Sequence, residues 1–261
     1  MTSTEAHESF LPAHQQLSTL LGSMSIVDLS PLLSTNMPHW PTNPDVFIVG
    51  DARTYAQHGS FAQTLILPEH SGCHVDAPAH QHADQAEQTI DTFPVDALLG
   101  VAKKIDLSQE HYAPGDLVPL SRVKELITTA SMTLEKNDII LFEFGWDNYL
   151  LDVEKKAPQE RNWWGENEPG LDEDLCRYLS EVGVKAVGSD TAACDIAAVN
   201  GKITGGCSGH LTYFLPKGIF IIEGLHNLAQ VPVTFYFMAF PLKIKGGSGS
   251  PLRPIALFPH V

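Results

Sequence analysis

The segment HSGCHVDAPAH, residues 70–80, sets three histidines and an aspartate at even offsets within eleven residues and interrupts them with Gly72 and Pro78. Imidazole nitrogens and carboxylate oxygens hold first-row divalent ions at about 2.0 to 2.2 Å. His70, His74, Asp76 and His80 therefore read as a metal site. No single regular element gathers them. On a straight strand, at about 3.3 Å per residue, His70 and His74 stand roughly 13 Å apart. On a helix they are neighbours, but Asp76 points elsewhere and Pro78 breaks the element. The chain must fold back at Gly72 and again near Pro78, because glycine allows close backbone approach and proline fixes a turn. Two imidazoles and a carboxylate leave room on the ion for water and substrate, which suits catalysis. Cys73 reads as a small buried residue supporting His74, and His82, just outside the pattern, as an exposed loop residue.

The remaining elements have to deliver these side chains. SFAQTLILPEH, residues 60–70, alternates as a strand leading into His70. SIVDLS, VFIVG, GVAKKIDLS, NDIILFEFGW (137–146), KAVGSD, GIFIIEGL and VPVTFYFMAFPLKI read as further strands, and GGSGSPLRPIALF as a Gly/Ser-rich turn into a last one. PLSRVKELITTA (119–130) and LDEDLCRYLSEVGV, with an acidic first turn and Gly183 near its end, read as helices. NMPHWPTNP, with three prolines around Trp40, and RNWWGENEPG have loop composition. Phe10, Leu11, Leu17, Leu20 and Leu21 give residues 1–24 a weak helical spacing, the pattern of an arm that packs on another subunit, and 25–261 form one domain. The class is mixed α/β with a substantial sheet or barrel.

Composition excludes several partners. With 16 Lys+Arg against 31 Asp+Glu and a formal net charge of -15, the chain has no basic block to follow nucleic acid or sit on an anionic membrane. No apolar run approaches the roughly 20 residues that span a bilayer, and the N-terminus lacks the plan of a signal peptide. A cytoplasmic protein is expected. Its four cysteines, without CxxC spacing, are expected to be reduced.

HSGCHVDAPAH resembles the HxGTHxDxPxH signature of the metal-dependent cyclase-like hydrolases, the family of bacterial kynurenine formamidase and isatin hydrolase, with Cys73 in the place of threonine. MPHWPTNP, NEPGLDEDLCRYLSEVGVKAVGSDTAACD and GSGSPLRPIAL resemble further stretches of that family in the same order, so the likeness runs from about residue 25 to the end. It implies a swivelling β/β/α-type fold, with a central mixed sheet or barrel flanked by helices, and a homodimer or homotetramer. It also implies that His210 and Glu223 complete a second metal position. A glutamate inside the apolar run FIIEGL supports this, since burying it unpaired is costly. His226, in the same segment, matches no ligand and reads as a supporting residue.

The resemblance implies hydrolysis of an amide bond in an aryl formamide or cyclic amide, with one or two ions of Zn²⁺ or Mn²⁺, either of which acidifies water and polarises a carbonyl. His70, His74 and Asp76 take the first ion. With two ions, Asp76 bridges to a second held by His80, His210 and Glu223; with one, His80 is free to act as general base. His80 and His210 are thus candidates for catalytic as well as metal-holding roles. Trp40 is the candidate wall for a flat aromatic or cyclic substrate; Trp146, Trp163 and Trp164 offer similar surfaces, with core packing the simpler reading of Phe47 and Trp146. Arg253 falls within the closing motif, and no binder for a substrate carboxylate is evident. Two alternatives stand beside this reading. His74, Asp76 and His210 also spell the facial triad of non-haem Fe(II) oxygenases, and the cluster could hold a structural ion, although such sites usually close four positions, often with cysteine.

Overall fold

Buried apolar runs bounded by turn residues build the centre of the structure. Ile139–Glu143, Ala186–Ser189 and Phe220–Glu223 are buried at every position. The computed structural model describes residues 12–260 apart from 36, 46, 152–154 and 158–159, with backbone alone at 47–49 and 51. Phe10 and Leu11 lie outside the described residues, as does the side chain of Phe47.

Nine strands form one mixed sheet in the order Met24–Asp28, Ile255–Pro259, Thr234–Met238, Leu99–Asp106, Ile139–Glu143, Ala186–Ser189, Phe220–Glu223, His74–Asp76 and Gly249–Pro251. Leu99–Asp106, Ile139–Glu143, Ala186–Ser189 and Phe220–Glu223 run parallel, and the strands on either side are antiparallel. Parallel strands are covered on both faces, hence their unbroken apolar runs. Ile139 and Leu141 enter one core with Val75, Ile222 and Phe237. Ile140 and Phe142 enter the other, beneath the helices, with Val123, Leu175, Leu179 and Ile221. The α/β class with a large mixed sheet flanked by helices is therefore observed.

The helix expected over 119–130 spans Leu120–Thr129, and the next long one spans Glu173–Val182 and ends on Gly183 at φ 79°. Asp172 serves both: one carboxylate oxygen accepts the N–H of Leu175 at 2.7 Å and the other accepts that of Leu120 at 3.3 Å. Asp172→Ala should therefore cost about 1–2 kcal/mol, lowering Tm by roughly 2–8 °C in a thermal melt, with catalytic rate unchanged.

Three sequence expectations need correction. The strand within residues 60–70 stops at Ile66, short of His70, because Pro68 cannot continue a ladder. It pairs with Phe47–Arg53 in a separate two-stranded sheet. RNWWGENEPG is not all loop, since Trp163–Glu166 is one helical turn. The last long apolar run yields a strand only over Thr234–Met238, Pro241 lying just beyond. In the N-terminal arm, Ala13–Gly22 is helical with no buried residue. No helix among the described residues is long and apolar enough to cross a membrane.

Candidate metal centre

His74 and Asp76 stand two apart on one short strand, so their side chains share a face. That strand pairs with Phe220–Glu223 in a register that sets Glu223 opposite His74. Gly72, at φ 60°, turns the chain back so that His70 lies beside Asp76. A Cβ at Gly72 would fall 2.7 Å from Leu33 Cδ2 and demand a backbone conformation that other residues avoid. Pro78 opens the 3-10 turn Pro78–His80, which sets His80 against His70 with ring centroids 4.0 Å apart and the rings tilted by 35°. His210 arrives from a distant part of the chain on a π-helical turn, Gly209–Tyr213. His74, Asp76, His210 and Glu223 are all buried, His70 largely so.

The hydrogen bonds decide what this cluster can hold. His74 Nδ1 donates to the Gly72 carbonyl at 2.9 Å, which points Nε2 inward, 3.2 Å from Glu223 Oε2 and 3.7 Å from Asp76 Oδ1. His210 Nδ1 is bonded to Asp195 Oδ1, and its Nε2 lies 3.3 Å from Asp76 Oδ2 and 3.4 Å from Glu223 Oε1. His70 Nδ1 lies 2.7 Å from Asp76 Oδ1. Ionised carboxylates only accept, so these inward nitrogens face oxygens that offer them no proton. A proton on each imidazole, or a metal ion in its place, must stand between them. Ligands about 2.0 to 2.2 Å from one ion lie roughly 3 Å from each other, the spacing seen here. Among the described residues, candidate donor atoms converge in two groups, His70, His74 and Asp76, then Asp76, His210 and Glu223, with Asp76 common to both. The residues present fit one or two divalent ions.

Electrostatics carry the same demand. Burial alone would push the His74 imidazole down, but the hydrogen bond to Glu223 and the charges of Asp76 and Glu223 lift it to about 9. Burial would raise Asp76, yet His70, His210 and His74 hold it well below the usual carboxylate range. His80 differs: burial keeps it below the ordinary imidazole value, and it belongs to neither ligand group. Burial pushes the Cys73 thiol far up, so it packs in the core as a neutral group, and all four cysteines are free.

A cavity beside the cluster is lined by Trp40, Asn43, His70, His80, Ala193 and Ile196, among others. Asn43 Nδ2 donates to the His70 carbonyl at 3.2 Å, tying the Trp40 loop to the centre. Trp163 and Trp164 do not line this cavity. Trp164 is buried with its Nε1 donating to the Asp190 carbonyl, and Trp163 stacks on buried Trp146. Their segment braces Trp40 from behind: Asn162 Oδ1 accepts the His39 N–H at 2.8 Å, and a Cβ at Gly165 would collide with the His39 carbonyl. His82 is half-buried, not exposed, and its Nε2 donates to the His210 carbonyl at 2.8 Å. His226 Nδ1 lies 2.8 Å from Asp147 Oδ2, away from the cluster. Arg253 contacts Asp28 at the surface.

Asp195 is the functional residue that sequence reading passed over. Fully buried, it meets the His210 ring with one oxygen and accepts the N–H groups of Gly209 and His210 with the other, at 2.6 and 3.2 Å. A Cβ on Gly209 would lie 2.8 Å from that oxygen, so glycine is required there. An aspartate in the otherwise small, apolar stretch TAACDIAA was the available signal.

Comparison with known proteins bears on this arrangement. A family model described as a putative cyclase matches residues 27–196. The isatin hydrolase of Roseibium aggregatum is 26% identical over 251 residues, covering 92% of this chain and 94% of that protein. The kynurenine formamidase of Salinibacter ruber is 26% identical over 240 residues, covering 89% and 97%. A crystal structure of an isatin hydrolase bound to the product analogue thioisatinate superposes with a TM-score of 0.82 at 26% identity, covering 96% of this chain and all of that one (100%).

Proposed function

We propose, from the premise that this chain belongs to the putative cyclase family, that it is a metal-dependent hydrolase cleaving an amide C–N bond in a small aromatic or cyclic substrate. The observation that carries this reading is the convergence of imidazole nitrogens and two buried carboxylates on the margin of a cavity. The names of the isatin hydrolase and kynurenine formamidase relatives supply the substrate class.

In this reading His70, His74 and Asp76 hold one ion and Asp76, His210 and Glu223 a second, Zn²⁺ or Mn²⁺ in either place. When bound, such an ion supplies Lewis acidity, polarising a carbonyl and acidifying water. His80, neutral and facing the same cavity, takes the proton of the attacking water and returns it to the leaving nitrogen as the C–N bond breaks. Trp40 provides the flat wall against which an aromatic or cyclic substrate lies. Asp195 holds His210 with Nε2 inward, the outer support that metal-binding histidines need. The oxygenase alternative loses support because His74 and His210 fall in different ligand groups.

The N-terminal arm, residues 1–24, serves contact between copies in a homodimer or homotetramer in the cytoplasm, and exposed Leu17, Leu20 and Leu21 support this. The test of function is purified protein with metal quantified, assayed under nitrogen against isatin, N-formylkynurenine and simple lactams. Hydrolysis of at least one is expected, lost on chelation and restored by Zn²⁺ or Mn²⁺. Metal-loaded protein inert towards all of them would remove the proposal.

A further inference from the structure

We infer that Glu69 and Ser248 are positioning residues that fix which nitrogen of His70 faces the metal centre. The inference rests on the metal reading above and extends it to residues outside the ligand groups. Ser248 Oγ carries one proton, and Glu69 Oε2 accepts it at 2.8 Å while also accepting the Ser248 N–H at 2.9 Å. His70 Nε2 lies 2.9 Å from the same hydroxyl oxygen. With its proton committed to a carboxylate, Ser248 Oγ can only accept from His70. His70 Nε2 therefore carries a proton, and Nδ1, which donates to Asp76 Oδ1 at 2.7 Å, is the nitrogen left to face the centre and to yield its proton to a metal ion.

The Gly/Ser-rich segment before the last strands is built for this contact. A Cβ at Gly247 would meet Glu69 Oε1 at 2.9 Å, and one at Gly249 would meet the His70 ring at 2.6 Å. The Gly247 and Ser248 carbonyls accept the N–H groups of Ile90 and Ala77, each at 2.9 Å, so the segment is pinned from both sides. It acts as a clamp on the His70 ring, and small residues are what let it close.

The experiment compares Ser248→Ala and Glu69→Ala with the conservative pair Ser248→Thr and Glu69→Gln. Ser248→Ala removes the acceptor. Glu69→Ala frees the hydroxyl proton to turn towards His70 Nε2. An amide oxygen at position 69, or a threonine hydroxyl at 248, preserves the direction. In ¹⁵N-histidine NMR of chelated protein at about pH 8, above the ordinary imidazole range, the His70 signals are identified by their loss in His70→Gln. Wild type and the conservative pair should show a protonated Nε2. The two alanine variants should show the Nδ1–H form or a mixture, with Mn²⁺ affinity about 10- to 100-fold weaker. Circular dichroism checks folding, and if one alanine variant does not fold the other decides. Unchanged protonation of Nε2, or unchanged Mn²⁺ affinity, in the folded alanine variants overturns the inference. Wild-type protein that binds neither Mn²⁺ nor Zn²⁺ overturns the metal reading and this role with it, a failure the metal-free tautomer measurement keeps distinct.

Discussion

Asp76→Ala should strip the protein of metal and of hydrolysis together while leaving it folded. Asp76 is the one residue common to both ligand groups, with Oδ1 beside His70 and His74 and Oδ2 beside His210. Its removal leaves the imidazoles facing Glu223 alone, and no group of three donors survives. Losing an outer partner of a ligand costs about 10- to 100-fold in affinity; losing a ligand shared by both positions should exceed that and take the rate to background. His74→Ala should remove the first ion and with it turnover. The strand itself has other support, from its ladders on both sides and from fully buried Val75 between the two ligands. Metal content, a circular dichroism melt and turnover measured on both variants give the answer, and full metal content in Asp76→Ala would refute the assignment.

His80→Ala should behave differently, losing about 10²- to 10⁴-fold in kcat with metal content unchanged. The ring of His80 lies against His70 and lines the cavity, yet it stands outside both groups of converging donors. Burial holds it below the ordinary imidazole value, so it is neutral and able to accept a proton at pH 7. Loss of one metal equivalent in this variant would make His80 a ligand and move the proton-transfer role elsewhere.

Three of the side chains lining the cavity, His70, His74 and His80, come from HSGCHVDAPAH, where residue type, even spacing and the interruptions at Gly72 and Pro78 already required a doubly folded segment. The strands at the centre were legible because burial on both faces leaves unbroken apolar runs. What periodicity encodes is which face a residue presents, not which residue it meets. Ser248 and His70 are 178 positions apart, and nothing in GGSGS distinguishes a clamp from a loose turn. Asp195 went unnoticed for the same reason, its partner lying on a π-helical turn that no 3.6-residue pattern announces. His82 looked exposed because its acceptor, a backbone carbonyl, has no identity in sequence. The tryptophans misled in the opposite direction: flat rings suit both ligands and cores, and only the fold shows that Trp40 fronts the cavity while Trp164 fills the interior.

The two ligand groups that share Asp76 differ in how far along the chain they reach, and this gives them different histories. His70, His74 and Asp76 belong to one short segment, so closing that loop costs little entropy and the trio can assemble as soon as the segment turns. Asp76, His210 and Glu223 meet only when the strand carrying Asp76 has docked on Phe220–Glu223, a long-range pairing of the slow kind. An ion in the first position reports a local turn; an ion in the second reports that the sheet has closed. During refolding the two sites should therefore fill in sequence, the second acting as a late latch that ties distant parts of the chain together.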